Sequence, residues 1–240
     1  MQTVISVEKV SKSFGNQQVL KNIDMLLKKG EIIGLIGPSG SGKSTLINIA
    51  LGVERADSGL TTIFGQKMPN RMLLGKLGYM AQSDALYESL TAKENIRFFA
   101  EMKGVDKKLL TPEITRVAKI VSLENYLDKR VSGFSGGMKR RLSLAIALIS
   151  DPGLLILDEP TVGSDPALRL QIWQELHRMR DEGHAILVTT HVMDEAELVD
   201  RVALLLGGEL IANDSPQNLE SQYHVDSIEK VFLKAEGELK

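Results

Sequence analysis

The sequence predicts an α/β fold whose core is a mainly parallel sheet, with an N-terminal antiparallel β subdomain and an inserted α-helical subdomain. Three patterns predict it. Unbroken apolar runs stand at Ile32-Ile33-Gly34-Leu35-Ile36 and at Leu154-Leu155-Ile156-Leu157, and a further strand is read at 185–189. Runs of that length suit strands buried on both faces of a parallel sheet. The first run leads through a glycine-rich loop into a helix over 44–51, and the second into a helix over 166–180. Such alternation of strand and helix is the mark of an α/β core. Between 90 and 150 the pattern changes to helical spacing, with Ile96, Phe99 and Ala100, then Ile114, Val117, Ala118 and Val121.

The remaining elements follow in order. Residues 3–10 alternate apolar and polar side chains and read as a strand, and 19–27 read likewise. A strand over 77–81 precedes the helical block, short strands are expected at 201–206 and 209–212, and a short helix at 227–233. The domain plan is one domain over 1–240: a core from 1–84 and 151–215, a helical subdomain at 85–150 and a tail at 216–240.

Composition narrows the function classes. The 240 residues are 43% hydrophobic and 25% charged, as in ordinary globular chains. A net charge of -2 argues against a broad basic face but leaves room for a local patch; no nucleic acid is expected as a partner. With no cysteine, disulfides and thiolate metal sites are excluded. No apolar run reaches the ~18 residues that a membrane-spanning helix needs. The first twelve residues lack the layout of a signal peptide. A cytoplasmic chain is the expectation, with any membrane contact made through a partner.

Gly37-Pro38-Ser39-Gly40-Ser41-Gly42-Lys43-Ser44 fits G-x-x-x-x-G-K-[ST], a phosphate loop, with Thr45 next in the helix. A chain of this length matches that pattern by chance about once in a hundred. The glycines let backbone N–H groups turn around phosphate oxygens. Lys43 supplies charge to the β- and γ-phosphates, the Ser44 hydroxyl is a magnesium ligand, and the helix N-terminus faces the anion. The core is therefore expected to be a P-loop NTPase core, with ATP and magnesium as ligands.

The second apolar run ends in Asp158-Glu159. Ligands of open α/β sheets bind at the carboxyl ends of strands. Asp158 is thereby placed for magnesium, and Glu159 to orient and deprotonate an attacking water. The alternative is two acids capping the next turn. His191, just beyond the strand at 185–189, is placed to contact the γ-phosphate and that water. The alternative there is a structural or solvated histidine, which is also the reading for His177, His184 and His224.

Ser135-Gly136-Gly137-Met138-Lys139-Arg140-Arg141 resembles the L-S-G-G-Q signature of ABC transporter ATPases, with Phe134 for the leucine and Met138 for the glutamine. A serine and two glycines at a helix start form a nest of N–H donors, and the same residues also serve as an ordinary cap. The resemblance implies a head-to-tail dimer in which Ser135, Gly136 and Gly137 of one chain complete the nucleotide site of the other, a second copy or a homologous subunit. It further implies that Gln82 senses magnesium and couples to a membrane-spanning subunit. Asp165, after Ser164, would touch the opposite chain, and Phe14 would stack on adenine. Ser164 stands where the family more often has an apolar residue. Asp165 before Pro166 also reads as an N-cap with proline at the first helical position.

The resemblance covers nearly the whole chain. Within the family, Ala85-Leu86-Tyr87, Leu90-Thr91, Glu94-Asn95 and Met138-Lys139-Arg140-Arg141 look most like ATPases of small exporters. The implied activity is ATP hydrolysis driving transport, on the inner face of the cell membrane. An ABC ATPase acting on nucleic acid or ribosomes, a binding module without turnover, and a small-molecule kinase are the competing classes. Lys139, Arg140 and Arg141 read as solvated or structurally paired charges, or as help for the partner's phosphates.

Overall fold

A computed structural model describes residues 2–83 and 85–237, with Leu74 described by its backbone alone. Met1, Asp84 and residues 238–240, which include both ends of the expected 1–84 core segment and the end of the 216–240 tail, lie outside the described residues. The chain runs β1 (Thr3–Phe14), β2 (Gln17–Lys28), β3 (Glu31–Ile36), α1 (Lys43–Ala50), β4 (Ser58–Ile63), β5 (Gln66–Lys67), α2 (Arg71–Leu74), β6 (Leu77–Met80), α3 (Ala92–Met102) and α4 (Leu110–Ile120). It continues with α5 (Gly136–Ala147), β7 (Leu154–Asp158), α6 (Pro166–Asp181), β8 (Ala185–Thr189), α7 (Met193–Ala196), β9 (Arg201–Leu206), β10 (Glu209–Asp214), α8 (Pro216–Tyr223) and α9 (Ile228–Glu236). Two compact units divide it, 1–74 with 185–240 and 75–184.

The first unit holds two sheets. In one, β2, β1, β4 and β5 lie side by side and every pairing is antiparallel. The β1–β2 hairpin turns at Gly15 (φ 58°), where a left-handed residue matches the strand twist. In the other, β3 pairs in parallel with β8 on one side and β9 on the other, and β10 returns antiparallel to β9. From Ile32 to Ile36 and throughout β8 every residue is buried. Continuous apolar sequence therefore reports strands covered on both faces. Gly34 in β3 is required by a close approach, because a Cβ there would lie 3.2 Å from the side chain of Val199.

The second unit pairs β6 with β7 in parallel, from Leu77↔Leu154 to Met80↔Leu157, alongside α3, α4, α5 and α6. α3 begins with a full capping box: Thr91 accepts from the Glu94 N–H and the Glu94 carboxylate accepts from the Thr91 N–H. Gly78 lets β6 lie close to the end of α5, since a Cβ there would come within 2.2 Å of the Ala147 carbonyl oxygen. Among the described residues no helix is long and apolar enough to cross a membrane.

Several expected elements extend further than their apolar patterns. β1 and β2 run on into polar residues because each continues the ladder to the hairpin turn. β4, β5, α2, α7 and α8 were not expected from the sequence. α9 extends the expected tail helix, starting where Ser227 accepts from the Lys230 N–H.

Candidate functional site

The phosphate loop lies between β3 and α1 of the first unit, as the sequence predicts. Gly42 has φ 106°, a backbone geometry that suits glycine, and occupies the N-cap without any side chain to cap the helix. The first-turn N–H groups of α1 are thereby left for an external acceptor. Gly40 (φ 81°) faces open space, whereas a Cβ on Gly42 would meet Leu20 and the Val19 carbonyl. Gly37 is enclosed: a Cβ there would sit 2.2 Å from the Leu205 carbonyl oxygen. The Lys43 ammonium donates to the Gly37 and Pro38 carbonyls at 2.7 and 3.0 Å, so it lies folded over the loop. Ser41 is buried, and its hydroxyl has no hydrogen-bond partner among the described residues. An orphaned buried hydroxyl beside a glycine cradle is what an oxyanion would satisfy, so this loop fits a nucleotide phosphate. Ser39 and Ser44 are exposed, Pro38 and Thr45 half-buried.

Two further candidates belong to this unit. His191 follows β8 and is exposed. The bend around it is fixed by Thr190, whose buried hydroxyl donates to Glu195 at 2.7 Å and accepts from the Val192 N–H at 3.0 Å. Phe14, at the end of β1, is 50% exposed, with the Lys12 ammonium 5.0 Å from its ring centroid. Lys12 is itself held by Glu54 at 2.6 Å and by the Arg55 carbonyl at 2.7 Å, a cation–π arrangement that fixes one face of the ring.

In the second unit, Asp158 closes β7 and is buried, and Glu159 follows half-buried at φ 53°. A left-handed glutamate is uncommon, and such residues persist where their surroundings fix them, often at functional sites. Burial, and then the negative charge of Asp158, push the Tyr79 phenol on β6 above its ordinary pKa. Gln82 follows β6 and is exposed. The Gln82 amide oxygen and Asp158 carboxylate of this unit are hard oxygen donors of the kind magnesium takes, and the Ser44 hydroxyl of the first unit is of the same chemistry.

Ser135 caps α5, its hydroxyl accepting from the Met138 N–H at 3.3 Å. Gly136 faces open space, and Gly137 lies close to the 163 loop, where a Cβ would be 3.1 Å from the Gly163 carbonyl oxygen. Phe134 is buried in place of the signature leucine. Asp165 caps α6 by accepting from the Leu168 N–H at 3.0 Å, with Pro166 at the first helical position. Lys139 pairs with Glu88, and Arg141 donates to the Val121 and Ser122 carbonyls at 3.3 and 3.2 Å.

Two polar residues have buried partners that the sequence pattern does not reveal. Asn95 is fully buried in α3; its amide oxygen accepts from the Tyr87 N–H at 2.9 Å, and its amide nitrogen donates to the Tyr87 and Thr91 carbonyls. His184 is buried, its Nδ1 donating to the Pro152 carbonyl at 2.8 Å. A single buried polar residue at a helical core spacing was the available signal for Asn95.

Comparison with known proteins adds independent support. The ABC transporter family matches residues 20–162. The Nod factor export ATP-binding protein I of Rhizobium meliloti is 41% identical over 218 residues, covering 90% of this chain. This chain spans 65% of that relative's length. A solved ATP-binding subunit of an ABC transporter superposes with a TM-score of 0.90 at 26% identity, over 97% of this chain and 99% of that one. The dimeric post-hydrolysis state of an ATP-binding cassette bound to ADP and phosphate gives a TM-score of 0.81 at 27% identity, over 88% and 98% of the two chains. The phosphate loop, the acidic strand end and the capped Ser-Gly-Gly helix thus occur in a chain whose sequence and fold both match one family across most of its length: the chain belongs to the ABC transporter family.

Proposed function

We propose that the chain is the ATP-hydrolysing subunit of an exporter, working as a dimer on a separate membrane-spanning subunit. The observation that carries the reading is the 37–44 loop, with left-handed Gly40 and Gly42, an orphaned buried Ser41 hydroxyl and Lys43 folded over its own carbonyls. Lys43 exchanges those carbonyls for β- and γ-phosphate oxygens, while Gly37, Pro38, Ser39, Gly40, Ser41, Gly42, Ser44 and Thr45 surround the phosphates. Phe14 stacks on adenine through the face away from Lys12. Ser44, Gln82 and Asp158 hold magnesium, which when bound offsets phosphate charge. Glu159 orients the attacking water and takes its proton, and His191 contacts the γ-phosphate. Ser135, Gly136, Gly137 and Asp165 serve the site of the second copy.

The family, the export role that the relative's name gives it and the dimeric cassette bound to ADP and phosphate support this assignment. The proposal places the chain on the inner face of the membrane through its partner, with the core at 1–84 and 151–215, the helical subdomain at 85–150 and the tail at 216–240. No observation favours a role on nucleic acid or ribosomes. The test is magnesium-dependent phosphate release from ATP by the purified chain and its Glu159→Gln variant. General-base catalysis typically contributes ~10²–10⁴-fold, so turnover should fall by at least ~10²-fold while ATP binding persists. A variant hydrolysing near the wild-type rate would remove Glu159 from this role.

A further inference from the structure

Arg140 stands in the second turn of α5, five residues beyond the capping Ser135, and is 8% exposed. Its guanidinium reaches four backbone carbonyls. Nη1 donates to the Ala81 oxygen at 2.5 Å and the Gln82 oxygen at 3.0 Å, and Nη2 donates to the Asp158 oxygen and to the Glu159 oxygen at 3.4 Å. The parallel ladder of β6 and β7 has its last pair at Met80↔Leu157. The four carbonyls therefore lie just past the point where the strands supply each other with donors. Buried carbonyls need a donor, and Arg140 provides one for both strand ends at once.

The residue type matters here. Guanidinium is a rigid planar fork with five N–H donors, so its two terminal nitrogens serve different acceptors simultaneously; a lysine ammonium is a single point on a flexible stem. A peptide plane whose oxygen is pinned cannot rotate freely, so the Cα–Cβ bonds of the residues flanking it keep their direction. Gln82 and Glu159 carry such pinned carbonyls themselves, and Glu159 is also held at φ 53°.

We propose that Arg140 is a positioning residue for ATP hydrolysis. It ties the helix that bears Ser135, Gly136 and Gly137 to the backbone of the segments that bear Gln82 and Glu159, and so sets where the Glu159 carboxylate points. This rests on the ATPase reading above. Misplacement of a reacting group by about 1 Å costs on the order of 10²-fold in rate. The four carbonyls that Arg140 holds belong to the segments bearing Gln82 and Glu159, so the loss should fall on kcat.

The experiment measures kcat and KM for ATP, with thermal melting, for the wild type, Arg140→Lys and Arg140→Met. The expected result is a ~10–100-fold fall in kcat for Arg140→Met, with KM changed by less than about twofold, and partial recovery in Arg140→Lys. In the Glu159→Gln background the Arg140→Lys change should cause no further loss of turnover. A purely structural role would instead lower the melting temperature with kcat of the folded fraction unchanged, and that result overturns the proposal. If Arg140→Met does not fold, Arg140→Lys decides: wild-type kcat, or a loss wholly in KM, overturns it. Absent turnover in the wild type itself would sink the ATPase reading and this inference with it, which separates the two failures.

Discussion

Replacing Gly42 and Gly40 by alanine, each alone, separates backbone strain from steric conflict within the phosphate loop. Both glycines have positive φ, 106° and 81°. Holding an L-residue in such a conformation costs on the order of 1–3 kcal/mol. At Gly40 that is the whole penalty, because an added Cβ meets nothing within 4 Å. At Gly42 the Cβ would lie 2.8 Å from Leu20 Cδ2 and 3.0 Å from the Val19 carbonyl oxygen. Leu20 is fully buried and cannot swing outward, and overpacking of this kind costs a further ~1–3 kcal/mol. Alanine's smaller unfolded-state entropy returns ~0.4–1 kcal/mol in both variants. Gly42→Ala should therefore be less stable than Gly40→Ala by ~1–3 kcal/mol in urea unfolding followed by circular dichroism. Equal losses, or a larger loss in Gly40→Ala, would show that β2 does not press on the loop at Val19 and Leu20.

Other predictions concern the second unit. Burial, opposed in part by Glu113, lowers the Lys103 ammonium from 10.5 to about 8, while its Nζ donates to the Ile149 carbonyl at 3.3 Å. A group depressed in this way binds its proton less readily in the folded state. Its contribution is greatest above the unfolded pKa and is lost as pH falls through the folded value, a span worth ~3 kcal/mol. Wild type should therefore gain stability relative to Lys103→Met between pH 7 and pH 10.5 in urea unfolding, and parallel pH profiles would contradict the burial of this charge. Asn95→Ala removes three hydrogen bonds and leaves the Tyr87 N–H in need of a partner, while the Tyr87 and Thr91 carbonyls still accept from the backbone N–H groups of residues 90 and 95, a loss of ~1–3 kcal/mol. Hydrogen exchange at the Tyr87 amide should quicken in that variant, and unchanged protection would refute the role given to Asn95.

The phosphate loop, the acidic end of β7 and the Ser135 helix start could be read in sequence because each is local: a few adjacent residues whose types fix both conformation and chemistry. The buried strands β3, β7 and β8 were legible for a related reason, since burial on both faces writes itself as an unbroken apolar run. β4 was not, because Ser58 and Gly59 open it and its register depends on β1, some fifty residues earlier. α8 is short and polar, with Leu219 its main buried side chain besides Pro216. Its start was nonetheless marked, by Ser215 capping the Asn218 N–H and Pro216 at the first helical position. Arg140 looks in sequence like one of three adjacent cations. Only the fold distinguishes it, by bringing two strand ends to one face of α5.

The most direct test of the central claim is the mass of the Glu159→Gln variant in solution, measured by light scattering with ATP and magnesium and again with ADP. The account predicts twice the chain mass with ATP and the single-chain mass with ADP, because the variant binds ATP without consuming it and the Ser135 helix of each copy closes on the other's nucleotide. A variant that binds ATP yet keeps the single-chain mass at high protein concentration would contradict it.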